Sequence, residues 1–335
     1  MLNIAIVGAT GQVGEHLLTV LEERDFEIGE LYVFASSNSV GESISFAGKS
    51  YVVQALEGFD FSKVQVAFFN ASKAITEQYA SLAAESGALV IDSTGAFRYD
   101  PLVPMVIAGV NDERIAMSSQ KHIITNPSPD ALMLMPVLKA MVPKAPVNDI
   151  TFTAMHSVSG SGKSGVDELA KQTAQLLNAR ELEKRCYTEQ IAFNVLPIVG
   201  DLEANGYTNA EIALMLETKI IMNNPGLSIA PSFVRVPVFH GNSASVVLNT
   251  EAAISSAEFS ALIDELEGFE LVNGENELAT PVSDSVGTDT VFISRVKETL
   301  GDHTGISFWM TADNLRYGST VNAVKIAELY QESFQ

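Results

Sequence analysis

A β-branched run, His122 to Thr125, leads into Asn126-Pro127-Ser128-Pro129, and an apolar helical segment starts at Asp130. In an α/β enzyme such a strand-to-helix turn commonly presents a nucleophile. The only nucleophile in this turn is Ser128, and a serine needs a base beside it. Between two prolines it reads more readily as a turn residue. His156 has the chemistry of a base or a metal ligand. No other His, Cys or carboxylate cluster accompanies it at ligand spacing, so it reads as a hydrogen-bonded pocket histidine, and no metal is expected. The single cysteine, Cys186, excludes an internal disulfide and reads as a buried structural thiol.

A second chemistry-bearing element lies at the start of the chain. In "IVGATGQVGEHLL", Gly8, Gly11 and Gly14 follow a strand and open a helix. Glycines there let the backbone turn tightly and approach a pyrophosphate held at the positive helix end. The spacing is G-x-x-G-x-x-G, a variant of the dinucleotide fingerprint, and it predicts descent from a dinucleotide binder. Present-day binding is a separate matter. Such folds read the ribose after the second strand, by an acid for a 2′-OH or an arginine for a 2′-phosphate. Here that stretch is "FASSNSVGESISF", where Ser36, Ser37, Asn38 and Ser39 offer hydrogen bonds and no cation.

These residues need elements to hold them. "LNIAIVG", "LYVFAS", "VQVAFFN", "ALVIDS", "MVIAGV" and "HIIT" read as short apolar strands, with helices over Gln12–Arg24 and Ile75–Ser86. Strands alternating with helices predict a parallel, doubly wound sheet. From about residue 147 the strands lengthen ("DITFTAMHSVS", "SFVRVPVFHG", "SASVVLNT", "TVFISRVK", "GISFWMTAD") and fewer helices separate them. That change predicts an α+β domain with a mostly antiparallel sheet. The last helix, Gly318 to Ser333, carries Val321, Val324, Ile326, Leu329 and Tyr330 on one face and is expected to return to the first domain. The division expected is 1–128 with 316–335, and 129–315.

The whole chain bounds its partners. It has 335 residues, enough for two cores, and 47% hydrophobic composition. Twenty basic against 41 acidic residues give a net charge of −21, which repels nucleic acid and anionic membrane. An anionic ligand would need a pocket with concentrated positive charge, and Arg98 and Arg235 are the candidates. No apolar run reaches membrane-span length, the stretch from Ala131 to Val142 being broken by Pro136 and Lys139. No basic leader precedes "MLNIAIVG", so a cytoplasmic location is expected.

Taken together, several blocks resemble the aspartate-β-semialdehyde dehydrogenases. "GATGQVG" is similar to that family's cofactor loop, and "VIDSTGAFRYDPLVPMVIAGVN" to its "DNSSAFR" segment. "SVSGSGKSGVDEL" matches its "SGAGK" loop, "QIAFNVLP" a core block, "RVPVFHGNS" its "RVPVxxGHS", and "TADNLRYGSTVNAVKIAEL" its C-terminal block. The resemblance runs nearly end to end. It implies a Rossmann-type domain completed by the C-terminal helix, plus an α+β domain that forms a homodimer. It further implies cofactor contacts from Gly8, Thr10, Gly11, Gln12, Val13, Ser36, Asn38, Ser159, Gly160 and Asn314. Contacts to substrate or phosphate would come from Arg98, Asn126 and Arg235.

The resemblance also marks departures. The family's cysteine nucleophile, in "NPNC", falls on Pro129, its base in "GHS" on Asn242, and its acyl-positioning glutamine on His156. A substrate-binding Glu and Lys fall on Ala210 and Ala213, and the arginine that reads the NADP phosphate falls on Asn38. The "SAGGS" loop has become Asn70-Ala71-Ser72-Lys73, without its glycine pair. A branch of the family, the Usg-type proteins, lacks the cysteine, and this chain looks like that branch. Three readings follow: a non-catalytic homologue that binds a small anion and NAD(P) weakly; an enzyme with altered chemistry at His156 or Ser128; or a structural partner, for instance of an active paralogue.

Overall fold

The computed structural model describes residues 1–274, 277–300 and 304–332, so the expected helix end at Ser333 lies outside the described residues. The chain divides into two compact units, Met1–Ser128 with Ser319–Gln335, and Pro129–Gly318.

In the first unit, β1 (Leu2–Val7), α1 (Gln12–Glu23) and β2 (Ile28–Phe34) form one βαβ step. A two-stranded hairpin follows, β3 (Ser43–Phe46) and β4 (Lys49–Val52). Then come β5 (Val66–Phe69), α2 (Lys73–Glu85), β6 (Leu89–Asp92) and β7 (Ile123–Thr125). The main sheet is wholly parallel in the order β2-β1-β5-β6-β7. Alternate side chains of β1 serve opposite cores: Ile4 and Ile6 pack with Leu17 and Leu21 of α1, Ala5 and Val7 with Ala80 and Ala83 of α2. The last helix, α7 (Asn322–Glu332), closes the first of these cores with Val324 and Ile326. Arg24 Nε and Nη2 clamp the Glu328 carboxylate at 2.8 and 2.7 Å. This is a doubly wound sheet completed by the C-terminal helix.

One expected strand is absent. In "MVIAGV" only Met105 bridges, to Thr125; Val106 and Ile107 are irregular and Ala108 to Val110 form a turn. Val106 N–H still donates to Thr125 C=O, but the next three N–H groups go to side chains: Ile107 to Asn111 Oδ1, Ala108 to Asn322 Oδ1 and Gly109 to Asp112 Oδ1. Apolar burial there, with Val106 and Ile107 in the core, needed no ladder. His122 also drops out of β7, its φ of 51° being left-handed.

In the second unit, α3 (Pro129–Met141), β8 (Val147–His156), α4 (Gly162–Leu177), α5 (Asn209–Ile221), β9 (Ser228–Arg235) and β10 (Asn242–Thr250) come first. After them come α6 (Ser256–Asp264), β11 (Phe269–Val272), β12 (Val291–Glu298) and β13 (Gly305–Ala312). The sheet order is β11-β12-β13-β10-β8-β9, with an antiparallel centre and a parallel pair at each edge. Ile150, Phe152, Ala154 and His156 of β8 face a buried side with Ile229, Phe233 and Arg235 of β9. The other side carries Thr151, Thr153 and Met155, exposed or half-buried. α5 starts with a capping box, Thr208 with Glu211. Among the described residues no helix is long and apolar enough to cross a membrane.

Candidate functional site

Within the second unit, β8 ends at His156 and β9 ends at Arg235, directly opposite each other in a parallel register. Cα partners in parallel strands point to the same face, so the imidazole and the guanidinium share the buried side. The third member comes from α3. Its first helical position is Pro129, where a missing N–H costs nothing, and its ring lies so close to Gly318 that a Cβ there would come within 2.8 Å. The next residue, Asp130, is buried, and its Oδ1 lies 3.0 Å from His156 Nε2. A carboxylate suits the first turn of a helix. The imidazole also packs on the Phe233 ring, centroids 4.9 Å apart. His156 is thus a buried, hydrogen-bonded histidine, and among the described residues no metal-binding cluster forms around it. Asp130 reaches it from 26 residues away in sequence, a pairing that no spacing pattern could show.

Arg235 is 6% exposed, and its Nη1 donates to Ser157 C=O at 2.6 Å. No carboxylate lies within 4.0 Å of its guanidinium among the described residues. Burial holds this group below its ordinary pKa, opposed by the fields of Tyr187, Cys186 and Asp130. Gly160 lies against it, since a Cβ there would sit 2.8 Å from Nη1. Cys186 is half-buried rather than buried, and accepts from Ser164 Oγ at 3.6 Å.

Beside this group the turn after β8 is laced shut by two amides. Asn242 Oδ1 accepts from Ser157 N–H at 3.1 Å and from Ser157 Oγ at 3.3 Å. Asn314 Oδ1 accepts from Ser159 Oγ, Ser157 Oγ and Gly241 N–H, while its Nδ2 faces Ser159 Oγ at 3.0 Å. Ser159, Gly160 and Asn314, expected at a cofactor, are thus brought together, with Asn314 saturated inside the unit. Asn314→Ala should leave the buried Gly241 N–H and the Ser159 hydroxyl short of this acceptor, Ser157 Oγ keeping Asn242 Oδ1. The expected loss is about 2–4 kcal/mol, read as a fall in the urea midpoint at constant slope.

In the first unit the glycine loop is tight. Gly8 has φ +93°, and a Cβ on it would come within 2.8 Å of the Asn70–Ala71 peptide. A Cβ on Gly14 would meet Gly8 C=O at 2.2 Å. Gly11 caps α1 without a side-chain bond, Thr10 and Val13 are half-buried beside it, and Gln12 begins the helix. Gln12 Oε1 and Asn70 Nδ2 are both buried without a hydrogen-bond partner. Ser36 and Asn38 lie exposed in the turn after β2.

Arg98 is half-buried, its guanidinium seated against Gly95, where a Cβ would come within 2.7 Å. Of the two acids near it in sequence, Asp92 accepts from the Thr94 and Phe97 N–H groups and from Thr94 Oγ1. Asp100 pairs with Lys121 at 2.5 Å, which holds its carboxyl below the usual range. Asn126 is buried and fully engaged: Nδ2 donates to Ser319 C=O at 2.7 Å and to Ser93 Oγ, and Oδ1 accepts from Asn322 Nδ2 at 2.7 Å. Asn322 is a residue that sequence reasoning passed over. It ties the turn after β7 to α7, and its only sequence signal was a polar side chain on an otherwise apolar helix face.

Comparison with known proteins matches this arrangement throughout. Residues 3–118 match the NAD binding domain of the semialdehyde dehydrogenases, and residues 138–317 their dimerisation domain. The chain is 42% identical to aspartate-semialdehyde dehydrogenase 2 of Vibrio cholerae over 327 residues, 98% of this chain and 97% of that one. It is 37% identical to a USG-1 protein homolog of Azotobacter vinelandii, over 98% and 97%. A crystal structure of aspartate semialdehyde dehydrogenase II from Vibrio cholerae, complexed with ASA, superposes with a TM-score of 0.98 at 41% identity, covering 100% of this chain and 99% of that one. With both halves matched in order and relatives of this similarity along nearly the whole length, the chain belongs to the semialdehyde dehydrogenase family.

Proposed function

We infer that this chain is a non-catalytic member with respect to the dehydrogenase reaction, retained as a binding protein for a small anion and built as a homodimer. The observation that carries this is the start of α3. Pro129 stands where the resemblance puts the thiol, and Asn242, at the base position, is committed through Oδ1 to Ser157. An amide at that position has no usable proton affinity at neutral pH. NADPH formation from the semialdehyde at high protein concentration tests it.

The anion reading rests on Arg235, a buried guanidinium with no carboxylate beside it in a chain of net charge −21. Calorimetric titration with succinate should show binding that Arg235→Met removes; no heat with the unmodified protein would overturn it. The NAD implied by the first domain fits the glycine loop. Gly8 and Gly14 permit the close backbone packing that such a loop needs, and Gln12 Oε1 and Asn70 Nδ2 are buried without a partner. When bound, a nicotinamide cofactor supplies hydride chemistry. In this chain Gly11, Gln12 and Val13 would hold its pyrophosphate end.

For the dimer, Thr151 is exposed and Thr153 and Met155 half-buried on the far face of β8, and Phe193, Val195 and Leu202 are more than half exposed. Light scattering at micromolar concentration should give twice the mass of 35.9 kDa. A monomer would count against this reading.

A further inference from the structure

The Asp130–His156 pair has no role in a dehydrogenase that lacks its nucleophile, and neither spacing nor resemblance pointed to it. Asp130 and His156 are 3% and 8% exposed. Oδ1 holds Nε2 at 3.0 Å, and Phe233 backs the ring. Nδ1 makes no hydrogen bond with any described residue. A carboxylate that fixes one ring nitrogen as N–H leaves the lone pair on the other, which orients a base. Beside it on the next strand, at the same register and on the same face, stands Arg235, whose guanidinium is tied to the backbone through Nη1 and to no other described residue. The start of α3 offers no side-chain nucleophile, because Pro129 has none. A positioned base with an anion anchor and no nucleophile does proton transfer rather than covalent catalysis.

We propose that His156 is a general base, positioned by Asp130, that removes a proton from the carbon next to the carbonyl of a small oxo acid whose carboxylate is held by Arg235. In this step the C–H bond breaks and its proton goes to Nδ1. The electron pair moves into the carbonyl as an enolate. The enolate then recovers a proton from the imidazolium, so no oxidant, reductant or second substrate is consumed. His156 is the catalytic residue and Asp130 the positioning residue.

The test uses the full chain in D2O with 4-oxopentanoate, a stable methyl ketone acid, followed by proton NMR as its C–H signals exchange for deuterium. The neutral control is 2-pentanone. Exchange of the acid should run about 100-fold above the same protein denatured by heat, and the neutral ketone should gain little. His156→Gln should abolish the excess, and adding free imidazole to His156→Ala should restore part of it. Asp130→Asn, in a sample that melts as a folded protein, should lower kcat with little change in KM and shift the pH profile of exchange, which a purely structural role would not move. Arg235→Lys should raise KM instead. Thermal melts of each variant confirm folding, and the acid-against-ketone comparison on the unmodified protein needs no variant. Exchange no faster than with denatured protein overturns the proposal. So does equal exchange of the two ketones, or full activity in a folded His156→Gln. The proposal shares Arg235 with the anion-binding reading and rests on it. Succinate binding without exchange would sink this proposal alone, and NADPH formation would sink the non-catalytic reading alone.

Discussion

Mixed with aspartate semialdehyde, phosphate and NADP, this protein is expected to form no detectable NADPH, and Pro129→Cys alone is expected to change nothing. The family reaction uses a thiolate to attack the aldehyde, a base to take its proton, and hydride transfer to the cofactor; phosphate then cleaves the thioester. Loss of a covalent nucleophile with its base costs on the order of a millionfold, which positioning groups cannot recover. The structure explains why one substitution should fail. A thiol at position 129 would stand at the start of α3, where the helix end could partly activate it, so alkylation by iodoacetamide is a fair outcome. Catalysis would still lack a base at the position the family uses for the thiol. Asn242 is engaged with Ser157, and His156 is held by Asp130 rather than free to orient an acyl group. Turnover should need Pro129→Cys with Asn242→His at least, and His156→Gln and Asn38→Arg for effective use of acyl group and cofactor. A rate in the unmodified protein near the ordinary enzyme range of about 1–1000 per second would show that another residue carries the chemistry.

The parts of the molecule that repeat a period were legible in sequence, and those that depend on a distant partner were not. β1, α1 and the glycines between them follow from alternation, helical period and a turn that only glycine tolerates, and the structure places them within a residue of the reading. The segment Val106–Val110 misled because apolar composition reports burial, not hydrogen bonding. Much of its backbone is satisfied by side chains, Asn111, Asp112 and Asn322, the last more than 200 residues away. The positions where the site departs from the family could be read one by one, since each sits in a block with recognisable neighbours. Their consequences could not. That Asp130 would meet His156, and that Asn314 would be spent on Ser157 and Ser159, are products of strand order and register. His156 read as a hydrogen-bonded pocket histidine with its partner unnamed; the fold supplies Asp130 as that partner.

Asn38→Arg should tighten NADP binding by about 10- to 150-fold and leave NAD nearly unchanged. The turn after β2 is where this fold class meets the adenine ribose. Here it presents exposed Ser36 and Asn38 with no cation among residues 36–39. A 2′-phosphate brings nearly two negative charges to a chain of net charge −21, so desolvating it there is unopposed. One charge-assisted hydrogen bond contributes roughly 1.5–3 kcal/mol, which converts to the stated range. The unmodified protein should therefore bind NADP weakly or not at all in calorimetry, and NAD, lacking the phosphate, should be disfavoured less. Asn38→Gln is the control, adding length without charge, and should leave both affinities within about threefold. Because the arginine would act at an exposed turn, its gain should shrink as salt rises toward 0.5 M, where screening reaches within a few ångströms. Micromolar NADP affinity in the unmodified protein would refute the claim. An equal gain for NAD and NADP would instead mean that the arginine met the pyrophosphate, a contact common to both nucleotides, and would place the ribose elsewhere than this turn.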